Sequence, residues 1–124
     1  MTTFDFSEIS KLAADLGQVP ETMRRNVISA VKFTSFNVKR DWQAPLKGSD
    51  MLPKGAYTIT YDIGVTGSEI TSEIGPKLGG VGGLVGVLEY GTPTTPPTGY
   101  GHAALQKNEE DFVKGIGLAA GDIL

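Results

Sequence analysis

The sequence contains no cysteine, which excludes disulfides, a thiol nucleophile and any metal site built on thiolates. A single histidine, His102, excludes a multi-histidine metal cage and leaves one imidazole as a candidate base. No run approaches the roughly 20 apolar residues of a membrane-spanning helix. The first ten residues carry Asp5 and Glu8 and lack the basic-then-apolar pattern of a secretion signal, so a soluble protein used without secretion is expected. Basic residues are the minority, 11 Lys and Arg against 14 Asp and Glu, for a net charge of -3. That balance argues against a general nucleic-acid binder. What remains is a chain of 124 residues, 40% apolar and 20% charged. It is expected to fold as one domain, residues 1–124, around a modest core. Seventeen glycines and seven prolines point to long, chemically specified loops.

Periodicity predicts the elements. Ile9, Leu12, Ala13 and Leu16 follow the spacing of one helical face, and Asp5 with Glu8 resembles a capping box, so a short first helix ending at Gly17 is expected. Pro20 suits the first position of a second helix, with Glu21 at its positive end, running to about Gln43 because Pro45 ends it. Met23, Val27, Ala30, Val31, Thr34, Val38 and Trp42 form its apolar stripe. Phe33 and Phe36 fall outside that stripe and call for a second partner: the first helix, the last helix or a neighbouring subunit.

Tyr57, Ile59, Tyr61, Ile63 and Val65 alternate with polar residues and glycine, predicting a strand with one buried face. Gly67 turns the chain, and Ile70, Ser72 and Ile74 form the return strand, closed by Gly75-Pro76. Five of the ten residues from Lys77 to Gly86 are glycine. Leu84 to Tyr90 reads as a short helix or a third strand, with helix preferred, and Gly91 to Gly101 as an extended arm of Thr, Pro and Gly. A last helix is expected from about His102 to Ala120, with Leu105, Phe112, Ile116 and Ala119 facing the core and Asn108 to Asp111 on a polar face. The expected fold class is α+β: an N-terminal helix pair, an antiparallel β-hairpin or small sheet, a long Gly/Pro-rich arm and a C-terminal helix.

Catalytic and cofactor patterns are missing. From Gly80 the chain reads Gly-Val-Gly-Gly-Leu-Val, which fails the last position of the dinucleotide fingerprint, and no Gly-Lys-Ser/Thr phosphate loop occurs. His102, beside a Pro/Gly segment at a helix start, reads as a cap or surface residue. Glu109 and Glu110 adjoin in sequence and diverge on a helix, so they do not make a catalytic pair. No loop has calcium-type spacing. The aromatics are scattered without the interleaved basic residues of single-strand binders. No enzyme activity, cofactor or metal is expected.

Charge is unevenly placed. Residues 1–47 hold seven basic and five acidic side chains, whereas residues 48–124 hold four and nine. The second helix carries Arg24, Arg25, Lys32, Lys39 and Arg40 against Glu21 and Asp41, and Arg25, Lys32 and Lys39 share a face at seven-residue spacing. This face is either solvated or complementary to an acidic surface. The polarity suits head-to-tail contact between identical subunits.

Several blocks occur in a telling order: Tyr-Thr-Ile-Thr-Tyr-Asp from Tyr57, Ser-Glu-Ile-Gly-Pro from Ser72, the glycine-rich stretch, Leu-Glu-Tyr-Gly-Thr from Leu88, Pro96-Pro97, and a final helix carrying His102–Leu105 and Glu109–Val113. Over nearly its whole length the chain resembles the tail-component family of long-tailed non-contractile phages, in versions found in phages of actinobacteria. It departs at 46–52, where many relatives carry Thr-Gly-x-Leu and this chain has Lys47-Gly48-Ser49-Asp50. The resemblance implies a virion structural protein of the tail-completion or tail-terminator type. Such a protein, made in the host cytoplasm, forms a sixfold homo-oligomeric ring at the head–tail junction. Its partners would be the major tail tube protein and a head-side neck protein, with DNA only as passing cargo and no membrane. An acidic ring suits that passage, because a basic lumen would grip DNA. The implied interface arm is Glu89, Tyr90, Gly91, Thr92, Pro93, Pro96 and Pro97, with Glu89 and Tyr90 as anchors, Gly91 permitting the turn and the prolines stiffening it. The alternative for this segment is a loop packed on its own subunit. Arg25, Lys32 and Lys39 form the second implied surface. Alternative functions are another neck protein (stopper or adaptor), or a non-virion assembly factor or binding module.

Overall fold

The computed structural model describes residues 2–6, 10–17, 19, 21–48, 53–77, 82, 85–86, 89–91 and 97–119. Four antiparallel strands, β1 (Thr2–Phe6), β2 (Ser10–Asp15), β3 (Ile59–Thr66) and β4 (Glu69–Pro76), form one sheet in the order β1-β2-β4-β3. Among the described residues two long helices, α1 (Arg24–Lys47) and α2 (Tyr100–Ala119), pack on each other and on this sheet. α1 lies against β4, β3 and β2, and α2 against β2 and β1, so each helix covers a different half. The α+β class therefore holds.

The N-terminal helix pair does not. The segment read as a first helix is the β1–β2 hairpin, paired Thr2↔Ala14 through Phe6↔Ser10. Leu12, Ala14 and Leu16 enter the core cluster, a period of two, while Ala13 is buried outside that cluster. Apolar Ala13 made the helical template fit equally well. What decides is β4, whose backbone needs a hydrogen-bonding neighbour on each side; β2 supplies one from Ser10↔Ile74 to Asp15↔Glu69.

α1 follows a short 3₁₀ turn, Glu21–Met23, and buries Val27, Val31, Thr34, Ser35, Val38, Trp42 and Leu46. It runs past Pro45, not ending at Gln43 as expected. Pro45 removes one intrahelical bond close to the C-terminus. The last turn persists because Leu46 is buried in the core and Gln43 Nε2 donates to the Ala56 carbonyl oxygen at 2.9 Å.

β3 and β4 form the expected hairpin, with Thr66↔Glu69 enclosing Gly67-Ser68. Gly67 has φ +60° and, among the described residues, no non-glycine residue has a positive φ, the pattern of a type II′ turn, whose twist matches the strands. A 3₁₀ turn, Pro53–Thr58, replaces the start of the predicted strand, and Tyr57 stands exposed there. Ile59, Ile70, Ser72 and Ile74 are buried under the helices, whereas Thr60, Asp62, Gly64, Thr66 and Glu73 on the alternate positions are exposed. One face of the β3–β4 hairpin is thus covered, and most of the other is exposed.

α2 buries Gly101, Ala104, Leu105, Asn108 and Phe112, with Ile116 and Ala119 packed partly against the core. Asn108, assigned above to a polar face, is 8% exposed. Its Nδ2 donates to Asp41 Oδ2 at 2.9 Å and to the Ala104 carbonyl at 2.8 Å, and Lys107 Nζ lies 3.7 Å from Asp41 Oδ1. This node ties the two helices.

The helices approach closely where Gly101 faces Trp42: a Cβ on Gly101 would lie 2.6 Å from the indole Cζ2. Gly101→Ala is therefore expected to push α2 away from Trp42 and destabilise the domain by about 1–3 kcal/mol. Denaturant unfolding of the two proteins measures the difference; equal midpoints would refute the close packing.

Candidate functional site

The carboxylate of Glu89 meets the start of α2. Gly82, Val85, Gly86, Glu89 and Tyr90 are helical, in keeping with the helical reading of Leu84 to Tyr90. Gly91 has φ +83°, a conformation that suits its implied role at a turn. Thr92, Pro93 and Pro96 lie outside the described residues, and Pro97 is exposed.

The chain returns through Gly99, at φ +63°, whose N–H donates to the Glu89 carbonyl at 3.3 Å and whose own carbonyl accepts the Ala103 N–H at 2.9 Å. Gly99 is thus the N-cap of α2, and it has no side chain with which to cap. Glu89 supplies the missing acceptors from ten positions upstream. Its Oε1 accepts the Gly101 N–H at 2.8 Å and its Oε2 the His102 N–H at 3.0 Å, the second and third amides of the helix. Glu89 is 7% exposed, and its carboxylate sits at the positive end of the helix dipole. Glu89 therefore works inside its own subunit, pinning both ends of the 89–99 excursion. Tyr90, next to it, is half-exposed.

The basic face of α1 is a different place. Arg25 and Lys32 are exposed, and among the described residues neither has an ion-pair partner. Lys39 is half-buried, with Nζ 5.9 Å from the centroid of the Tyr61 ring, and so is partly engaged within the fold. Arg40 pairs with its neighbour Asp41 at 3.7 Å.

Phe33 is 69% and Phe36 50% exposed. Of the partners expected for them, the first helix is a strand and α2 docks elsewhere on α1. Ser29, Phe33, Phe36 and Arg40 follow helical spacing along the outer side, with Lys32 one turn before Phe36. The uncovered face is therefore aromatic and basic together.

α2 presents the opposite chemistry. Glu109, Glu110, Asp111 and Val113 are exposed, and Gln106, Glu109, Glu110, Val113 and Lys114 line an open depression of about 600 Å³. Glu109 and Glu110 are surface groups here. His102 has an exposed side chain and serves the fold through its backbone N–H. Among the described residues no three His, Asp or Glu side chains gather as metal ligands would, and no helix is long and apolar enough to cross a membrane.

Sequence reasoning placed Glu89 and Gly91 in one segment but missed the cap. The signal that carries it is a helix start written Gly-Tyr-Gly-His, which lacks any capping side chain and needs an acceptor from elsewhere. Comparison with family models, with characterised proteins and with solved structures yields no match.

Replacing Glu89 by Ala leaves two α2 amides without acceptors and is expected to cost about 1–3 kcal/mol. Glu89→Gln, which keeps one acceptor oxygen, should cost less. Thermal or urea unfolding orders the three proteins; Glu89→Ala as stable as wild type would refute the capping role.

Proposed function

We propose that this protein is a phage virion structural protein of the head–tail junction, a ring-forming subunit that completes or terminates the tail tube. The observation that carries the proposal is the outer side of α1, where Phe33 and Phe36 stay exposed between basic residues after the sheet and α2 have taken their places. Two neighbouring aromatics on one helix face are an unusual burden for a lone domain and an ordinary feature of a subunit contact. The resemblance of the Leu88–Thr92 block, the prolines after it and the final helix to phage tail components supplies the kind of assembly.

In this reading the segment between Glu89 and Gly99 is the assembly arm. Its base is held by the Glu89 carboxylate, and a contact built on a fixed base loses less entropy on docking. Tyr90, half-exposed at that base, is its contact residue, and Glu89 acts as the foundation and not as the contact. The tube protein and the head-side neck protein are the outside partners, and DNA passes through without specific contact.

Quantitative mass spectrometry of purified virions, with the portal protein as internal standard, tests the proposal. About six copies per particle are expected, the number of a closed cyclic ring. Hundreds would make the protein a tube subunit, and none would make it an assembly factor outside the virion. Within the ring, Tyr90→Ala should leave the melting temperature within about 4 °C of wild type, the equivalent of roughly 1 kcal/mol or less, while reducing incorporation into tails. A collapsed melting point with normal incorporation of the folded remainder would sink the assignment of Tyr90.

A further inference from the structure

We infer that the outer faces of α1 and α2 are the two halves of one heterologous contact between copies of this chain: Phe33 and Phe36, flanked by Arg25 and Lys32, seat against Val113 between Glu109 and Glu110 of the next copy. The inference rests on the ring reading and names the surfaces that close the ring.

Three observations carry it. The faces are chemically complementary: exposed apolar surface lies among basic residues on α1, and on α2 beside Glu109, Glu110 and Asp111 against the single Lys114. On α1 the face is the two phenyl rings with Arg25 and Lys32, which have no ion-pair partner among the described residues. On α2 Val113 is 49% exposed, with Glu109 and Glu110 one helical turn before it, in a shallow, open depression along the outer side of the helix.

The faces also belong to different halves of the subunit. α1 covers the β4–β3 side of the sheet and α2 the β2–β1 side. Head-to-tail contact needs two distinct patches on one molecule, since a self-complementary patch gives a closed pair and not a ring.

The rival acidic surface lacks the apolar half. On the exposed face of the β3–β4 hairpin Asp62 and Glu73 are paired directly, but their exposed neighbours are Thr60, Gly64 and Thr66. Phenyl rings placed there would be desolvated against hydroxyls and carboxylates, with little return from apolar burial. Charge complementarity selects an acidic partner, and the phenyl rings select the acidic face that is also apolar.

The test uses the full-length protein, its self-association followed by sedimentation at rising concentration and by addition of purified tail tubes as a template. Phe33→Ser with Phe36→Ser, Arg25→Glu with Lys32→Glu, and Glu109→Lys with Glu110→Lys should each keep the wild-type melting temperature, because these side chains are exposed. Each should weaken assembly by about tenfold or more, as loss of central anchors does. Combining the two charge reversals should restore assembly, since opposite signs then face each other again. Asp62→Lys with Glu73→Lys should have no effect.

The contact is refuted if the folded phenylalanine variant or either charge variant assembles like wild type. It is equally refuted if the combined reversal fails to recover, or if the Asp62 and Glu73 variant is the one that disrupts. Wild-type protein that self-associates neither in solution nor on the tube would overturn the ring reading itself. Wild-type assembly left intact by all these variants would overturn only the contact proposed here.

Discussion

The start of α2 is held by a buried carboxylate, and much of the fold follows from it. Glu89 gives one oxygen to each of the Gly101 and His102 amides, at a helix whose own N-cap, Gly99, offers none. Gly101 lets the first turn close on the Trp42 ring, where any side chain would collide. With that end fixed, Ala104, Leu105, Asn108 and Phe112 are presented to α1 and to the β1–β2 half of the sheet. Asn108 and Lys107 then meet Asp41 and lock the helices together about two turns further along. The negative charge is stabilised by the helix dipole, and the amides it bonds would otherwise be desolvated without acceptors. One side chain thus joins two tasks: it fixes a core helix and anchors the base of the proposed assembly arm.

α1 shows how a core element can also be an external surface. Its inner stripe, Val27 to Leu46, is satisfied completely within the domain. Its outer stripe keeps two phenylalanines in water, among positive charges and with no acid of its own except Asp41, which is turned to α2. Burying those rings against the same subunit would require a third layer, and α2 is already committed beside α1. The apolar surface is therefore left exposed, and in the proposed assembly the positive charges around it bias which surface it meets.

The sequence was most legible where one segment carries its own pattern. The β3 alternation, the Gly67 turn, the α1 stripe and the final helix were all readable to within a few residues, because apolar residues repeat with the period of the element they form. It was least legible at the N-terminus. There Leu12, Ala13 and Leu16 suit a helix, and Leu12, Ala14 and Leu16 suit a strand; small Ala13 is apolar enough for either. The helix end was misread for a similar reason. Pro45 weakens a helix locally, but the burial of Leu46 and the reach of Gln43 to Ala56 keep the last turn in place. Glu89 was recognised as notable for its position in a block, and its chemistry was visible only once the chain had brought the start of α2 to it.

By itself, then, the sequence determined what the side chains can and cannot do: no thiol chemistry, one imidazole, amphipathic helices, a half-buried hairpin, and a basic first third followed by an acidic remainder. These are properties of composition and of spacing along one chain. The tertiary structure alone decided that the first segment pairs with β4 as a strand, that Asn108 is buried, that Glu89 caps a helix ten residues away and that Phe33 and Phe36 are left uncovered. Each of those outcomes depends on which hydrogen-bonding edge or apolar surface another element brings within reach, and no periodicity within a single segment encodes that.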